Sequence, residues 1–532
     1  MDLSFRKNWI LTHGLGLSVA ICYFLIRCWV LRDYGFTIDE AEIRGIAKIY
    51  LQNFGPQLIS GVDLNWQSHY MVGYYYLTDL IRVVIAQNSK WMFPGLGFAR
   101  GFHLANLLFA SASLFLVFEI VFILSKNVRP ALLSTLALAL LPQFIAHSQN
   151  NPKDLTGLFA FTLGVWSLAL ARTTRSWMWF GIACFGLGWC FTTTAFSTLL
   201  FPIAFLWLLI FERIDLRIRW PVYLGLFVGS CVVAFILWPW LWRNPLTNIS
   251  FIIYRLIHYK FDIYESYMGE IQRVHDLPWH YVPAHLFASI PLPFLIGIFL
   301  GLGSWFKFKS MTPFNRSLLG LITIWFFIGL FDLSNSLAKC NALRHFLFIL
   351  VPISILIGAG FNFLLVTFKS WVVWAGLGLT YLYVLVQVIL IHPYQGAYLN
   401  EIANALIPAE SERYFSVEYF GQAYQEGGQW LNEHAEPEGE IFVPIFTSAA
   451  NFTLKKNARK GSLAQFLDPS KPRYLMFITR GSRYNEFIDY VQEHFTPVFE
   501  IRRQKAVLLK IYRNSCPLGS ASKPQTVRNQ KI

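Results

Sequence analysis

Charge is what this chain has least of. Asp, Glu, Lys and Arg together make up 14% of its 532 residues, whereas soluble globular domains carry roughly 25%. With 55% hydrophobic residues and a mean hydropathy of +0.45, this deficit excludes an ordinary soluble domain and points to a polytopic membrane protein. Cysteine is also scarce. The seven cysteines occur singly and no Cys-x-x-Cys pair is present, which excludes a disulfide framework and a cysteine-based zinc site. There is no internal repeat and no low-complexity segment. The formal charge of +14 is spread over short loops between apolar runs, so it forms no basic patch of the kind nucleic acid needs.

What the chain does have is long apolar runs. The first, from Trp9 to Leu31, follows Arg6 and Lys7. It is too long for a signal-peptide core and no small-residue cleavage site follows it, so it reads as an uncleaved span. The stretch 32–97 is polar, with apolar residues at helical spacing in 41–53 and 69–86; two amphipathic helices on the membrane surface are expected there. Further spans are expected at about 98–124, 130–146, 155–171, 177–194, 196–211, 220–238, 284–305, 317–334, 345–366 and 371–391, about eleven in all. With a cytoplasmic N-terminus every short inner loop is basic: Lys126 and Arg129, Arg172 and Arg175, Arg213 to Arg219, Lys307 to Arg316, and Lys369. That alternation follows the positive-inside rule. From His392 the apolar runs shorten and charge rises. Residues 392–513 read as a small extracytoplasmic α/β domain: helices at 422–434 and 484–494, strands at 440–444 and 474–479, a hairpin from 498–502 and 506–512. Residues 514–532, polar and basic, read as a disordered tail. The fold class expected is thus an all-α membrane protein of 1–391 with an extracytoplasmic α/β domain.

Polar clusters interrupt this pattern at the outer ends of spans. Phe36-Thr-Ile-Asp-Glu-Ala-Glu42 places Asp39 and Glu40 side by side at a membrane edge. Its plain reading is a helix N-cap by Thr37 or Asp39. The chemical reading makes Asp39 a general base, because burial and a like-charged neighbour raise a carboxylate's proton affinity. His147-Ser-Gln-Asn-Asn-Pro-Lys-Asp154 reads as a tight turn between two spans. A turn needs Asn150, Asn151 and Pro152 but not His147, Lys153 and Asp154. Lys153 is either a snorkelling lysine or a cation for a phosphate. Lys339, Arg344 and His345 open a later span, and Arg100 and His103 open the second. They read as headgroup contacts or as a phosphate clamp, a role suited to the planar fork of arginine. The aromatic stretches Trp238-Pro-Trp-Leu-Trp-Arg-Asn-Pro245 and Leu277-Pro-Trp-His-Tyr-Val-Pro283 read as an interfacial belt or as a surface for a sugar or an isoprenoid.

Taken together these residues carry a resemblance. The Asp39-Glu40 pair, the His-Ser-x-x-x-Pro-Lys-Asp turn, the aromatic stretch from Trp238, Trp279-His-Tyr-Val-Pro-Ala-His285, Arg344-His-Phe346 and His392-Pro-Tyr-Gln-Gly-Ala-Tyr-Leu-Asn-Glu401 resemble the GT-C membrane glycosyltransferases. The similarity is to glycosyltransferase family 39 in particular, the protein O-mannosyltransferase and aminoarabinose transferase group. The resemblance implies a multi-pass protein of the cell or inner membrane. It implies an inverting transfer from a polyprenyl-phosphate sugar to a lipid, glycan or protein hydroxyl. Asp39 is then the base, and Glu40 supports it or binds acceptor. Lys153, Arg344 and Arg100 hold the donor phosphate, and His147, Asn150, Asp154 and His345 line the pocket. No metal ligand set or cofactor is demanded, although a divalent cation bridging Asp39 or Glu40 to the phosphate is compatible with the scheme. No large domain is inserted between spans, unlike the eukaryotic protein mannosyltransferases. The rival readings are a polyprenyl-lipid flippase or transporter and a noncatalytic relative.

Overall fold

The computed structural model describes residues 3–40, 81–88, 97–193, 203, 207, 216–238, 240–258, 263–303, 313–335, 339–408, 410–517 and 525–527. The amphipathic helices expected over 41–53 and most of 69–86, and most of the span expected over 196–211, lie outside these residues. Residues 81–88 are helical.

The apolar runs fold as helices, the one local structure that satisfies every backbone N–H and C=O within a single segment in an apolar medium. They include α1 (Leu3–Trp29), α2 (Gly97–Ser125), α3 (Val128–Leu140), α4 (Pro142–Asn150), α5 (Asp154–Thr174) and α6 (Trp177–Thr193). Among the described residues five helices are long and apolar enough to cross a membrane, and up to seven if each of two bent pairs is counted as one span. The bent pairs correct the expectation of straight spans at 130–146 and 284–305. The axis turns by 63° between α3 and α4, and by 110° between α7 (Tyr281–Ser289) and α8 (Leu292–Gly303). Proline is the physical reason. Pro142 opens α4 and Pro291 sits in the second break, and a proline ring removes one helical donor and clashes with the preceding turn. The stretch His147–Asp154, expected as a turn throughout, is also corrected: α4 runs on through Asn150, and only 151–153 turn.

Small residues let these helices approach, as in membrane bundles generally. A Cβ on Gly186 of α6 would lie 2.7 Å from the Gly164 nitrogen of α5. A 3-10 turn, Arg344–Ile349, leads into α9 (Leu350–Phe368), which packs on α8.

The chain after the helix Trp371–Leu390 builds a five-stranded sheet of order β3-β4-β6-β5-β7. Its strands are β3 (Glu440–Phe442), β4 (Arg473–Ile478), β5 (Phe495–Arg503), β6 (Ala506–Pro517) and β7 (Gln525–Val527). β4 is buried at every position, as its apolar Tyr-Leu-Met-Phe-Ile run demands of a central strand. Helices α10 (Tyr424–His434) and α11 (Glu486–His494) accompany the sheet. The reading of 514–532 as wholly disordered is corrected: β6 continues to Pro517, and Gln525–Val527 pairs in parallel with β5. An open strand edge offers unpaired backbone groups that such a segment satisfies. A separate two-stranded hairpin, β1 (Tyr264–Tyr267) and β2 (Glu270–Arg273), precedes α7.

This C-terminal region is stitched to the start of the chain. The Ile38 N–H donates to the Phe420 carbonyl at 3.1 Å. At Gly35 a Cβ would overlap the Gln422 carbonyl, so only glycine permits that approach.

Candidate active site

A helix begins at Ile38, and Thr37-Ile-Asp-Glu40 starts it as a capping box. The Glu40 carboxylate accepts from the Thr37 N–H at 2.9 Å, and the Glu40 N–H donates to the Thr37 hydroxyl at 3.4 Å. The other Glu40 oxygen lies 2.6 Å from His103 Nε2. Glu40 is therefore turned inward and occupied, while its neighbour Asp39 keeps a partly open carboxylate that pairs with Arg344.

The break between α4 and α5 builds the second part of the site. The Asn151 side-chain carbonyl accepts from the N–H groups of Lys153 and Asp154 at 3.2 and 3.1 Å, an Asx turn that fixes the start of α5. Its amide group donates to His147 Nδ1 at 2.9 Å and to an Asp154 oxygen at 3.1 Å. That leaves the His147 proton on Nε2, which meets the Tyr419 hydroxyl at 3.1 Å. Behind the turn the buried Arg82 guanidinium reaches the Pro152 carbonyl, Asn106 and Thr156.

Arg344 joins the two parts. One nitrogen of its fork is bonded to Asp39, and Nε donates to Asp154 at 3.3 Å. Its guanidinium carbon lies 4.9 Å from the centroid of the Phe420 ring. His345 Nδ1 is 3.6 Å from the other Asp154 oxygen. The side chains of Asp39, Asp154 and Arg344 are 17%, 2% and 10% exposed, so two carboxylates share one guanidinium with little water to screen them. Lys153 is buried beside this group. The Asn150 amide nitrogen is buried with no hydrogen-bond partner among the described residues.

Of the residues singled out in the sequence, Asp39, His147, Lys153, Asp154, Arg344 and His345 come together, although they are drawn from three distant stretches. Arg100 stands apart. Its guanidinium reaches the Arg32 carbonyl at 3.5 Å, and no described contact links it to Arg344, Lys153 or Asp39. Tyr419 and Phe420 were missed. They lie in a segment without a motif, and long-range contacts bring them in, among them the backbone bond between Ile38 and Phe420. Their turn is held by Glu418, which accepts from the N–H groups of Gly421 and Gln422 at 2.7 and 3.0 Å. Burial nevertheless raises the Glu418 carboxyl to about 7.

Cys340 Sγ lies 3.5 Å from His345 Nε2, which lines up Cys340, His345 and Asp154 like a nucleophilic triad. The thiol is fully buried, and burial with nearby Glu265 pushes its pKa up. It therefore stays protonated and serves as packing, since the thiolate is the nucleophile. Among the described residues no three His, Cys, Asp or Glu side chains converge to hold a metal ion.

Residues 99–238 match the family described as dolichyl-phosphate-mannose-protein mannosyltransferase. The matched stretch contains His147, Lys153 and Asp154 but neither Asp39 nor Arg344. Among solved structures, the chain is similar to ArnT from Cupriavidus metallidurans bound to undecaprenyl phosphate. The TM-score is 0.51 at 14% identity, over 98% of this chain and 100% of that one. The apo form of the same ArnT gives 0.49 at 14% identity with the same coverage. No curated protein sequence is significantly similar to the chain. The resemblance to GT-C glycosyltransferases of family 39 thus rests on a family match in one region and on the fold of the whole chain.

Proposed function

We propose that this protein is an inverting membrane glycosyltransferase that moves a sugar from a polyprenyl-phosphate donor to an acceptor hydroxyl. The observation that carries the reading is Arg344 held between Asp39 and Asp154 in a nearly buried cluster. The family match and the undecaprenyl phosphate bound to the ArnT neighbour support the donor class. In this reading the N-terminus is cytoplasmic, and the site and the C-terminal sheet face the other side, as the basic short loops favour.

The ion pair with Arg344 neutralises Asp39 and makes it a weak base. The donor phosphate competes for Arg344 and is met by Lys153. Asp39, released from its counter-charge in a poorly hydrated site, gains proton affinity. It takes the proton of the acceptor hydroxyl as that oxygen attacks the anomeric carbon. The bond from the anomeric carbon to the phosphate oxygen breaks on the opposite face, and its electron pair leaves with the phosphate. Arg344 and Lys153 stabilise the charge that develops there. Glu40 supports Asp39 by holding the start of its helix. His147, Asp154 and His345 orient the cations, and the Asn150 amide offers a donor to the sugar. Arg100 is left out of the clamp.

The test is donor turnover. Purified protein and its Asp39→Asn variant are given a radiolabelled polyprenyl-phosphate hexose with a membrane extract as acceptor source. Wild type should release polyprenyl phosphate and label a product, and the folded variant should do neither. Near-normal transfer by the variant would overturn the assignment of the base. A second reading, a polyprenyl-lipid flippase, is favoured by the two bent helix pairs, since broken helices mark many transport sites. Transport of labelled lipid across vesicles without donor cleavage would establish it instead.

A further inference from the structure

Arg480 lies just past the end of β4, in the C-terminal region, and its side chain is 6% exposed. Its guanidinium binds three separate segments. Nη2 donates to Glu265 Oε1 of β1 at 2.8 Å and to the Asn341 side-chain carbonyl at 2.8 Å. Nη1 donates to the Tyr419 carbonyl at 3.2 Å. Glu265 is fully buried and fully used. The oxygen that faces Arg480 also takes the Asn341 N–H at 3.3 Å, and the other takes the Ser416 hydroxyl at 2.6 Å.

Asn341 and Ala342 are the focus of this network. Their φ angles are +56° and +53°, two consecutive left-handed residues, neither of them glycine. In that conformation the Cβ crowds the following carbonyl; asparagine bears this at lower cost than alanine, so Ala342 is the more strained of the two. The backbone persists there only because its surroundings hold it. The turn leads directly into the site, since the Arg344 N–H donates to the Asn341 carbonyl at 3.1 Å. At the same time Arg480 fixes the backbone of Tyr419, next to the ring on which Arg344 lies.

We propose that Arg480, with Glu265 as its counter-charge, is a positioning residue that aims Arg344 by holding the left-handed turn 341–342 and the Tyr419–Phe420 segment together. The proposal rests on the reading of Arg344 as the cation that receives the donor phosphate. It gives the C-terminal region a part in donor binding, although it supplies neither the base nor the phosphate cation.

The experiment compares Asn341→Ala, Asn341→Gly, Arg480→Lys and Arg344→Ala in the full-length protein, reading donor KM, acceptor KM and thermal midpoint. Asn341→Ala loses both the contact and the tolerance for the turn, and should raise donor KM on the order of tenfold or more, as displaced binding groups do, with acceptor KM near wild type and a modestly lower midpoint. Asn341→Gly also loses the Arg480 contact but relieves the left-handed turn, and should raise donor KM, by no more than Asn341→Ala does. Arg480→Lys keeps the charge but loses the fork, and should behave like Asn341→Ala. If Arg480→Lys fails to fold, the two Asn341 variants decide the matter. Wild-type donor KM in Asn341→Ala or in folded Arg480→Lys would overturn the proposal. Arg344→Ala separates the two layers. If it leaves donor KM unchanged, the phosphate reading itself fails. If it raises donor KM while Asn341→Ala does not, only the positioning role fails.

Discussion

The end of the helical bundle and the C-terminal region meet at one site and bring different things to it. The bundle end brings charge: Asp39 on the segment after α1, Asp154 at the start of α5, and Arg344 before α9. The C-terminal region brings rings and main chain: Phe420 under Arg344, Tyr419 on His147, and the Phe420 carbonyl on Ile38. Its buried Arg480, paired with Glu265 of the β1 hairpin, stands one layer behind. The difference teaches how labour is divided in a poorly hydrated site. Charged groups there need partners, and here the region that carries Asp39, Asp154 and Arg344 is separate from the one whose rings and main chain pack against them. Two neighbouring acids show the same split on a smaller scale. Asp39 faces Arg344, whereas Glu40 caps its own helix and pairs with His103.

That comparison can be broken most directly at Asp39. Asp39→Asn should lower kcat by roughly 100- to 10,000-fold, the range of a general base, with the thermal midpoint near that of wild type. Glu40→Gln should do the reverse. It loosens a buried contact worth about 1–3 kcal/mol of stability and leaves kcat within about tenfold, so equal kcat losses in the two variants would erase the distinction. Asp154→Asn removes the second anchor of Arg344, and a misplaced clamp should cost on the order of 100-fold in kcat/KM. Unchanged turnover would show that Asp39 alone orients Arg344. Phe420→Leu keeps bulk but removes the π face, and should weaken donor binding by about 0.5–2 kcal/mol without changing the pH profile of kcat.

A separate effect, on stability and not on turnover, concerns Glu418. Its carboxyl titrates near 7 in the folded protein, above its ordinary value of 4.5. Between those values the native state binds more protons than the unfolded chain. Stability should therefore be greatest below about pH 4.5 on this account and fall as pH rises through 7. Glu418→Gln keeps an acceptor for the two backbone N–H groups and should flatten that fall, measured as thermal midpoint from pH 5 to 8. A slope identical to wild type would assign the pH dependence elsewhere.

The parts of this arrangement that depend on composition and short-range spacing were readable along the chain. Scarce charge and long apolar runs give helices. Thr37-x-x-Glu40 is a capping box in the sequence before it is one in space. Lys153 and Asp154 beside a proline turn mark a polar site at a helix end. Pro142 and Pro291 were equally visible, but a proline says only that a helix is interrupted. The angles of 63° and 110° come from how the neighbouring helices pack. Arg100 and Arg344 looked equivalent, both cations at the start of a span, and nothing local separates them.

What the sequence determined by itself is the medium and the inventory: an apolar chain folding as membrane-type helices, with acids and cations gathered at span ends where desolvation is costly. Which acid meets which cation was decided only in three dimensions. Asp39, Asp154 and Arg344 lie 115 and 190 residues apart along the chain, the differences of their numbers, and no periodicity links positions so distant. The same holds for Tyr419, Phe420 and Arg480. Their roles come from a glycine-sized approach at Gly35, a backbone bond at Ile38 and a held left-handed turn at Asn341. Each of these is a contact between distant segments, and such contacts exist only once helices and sheet have packed.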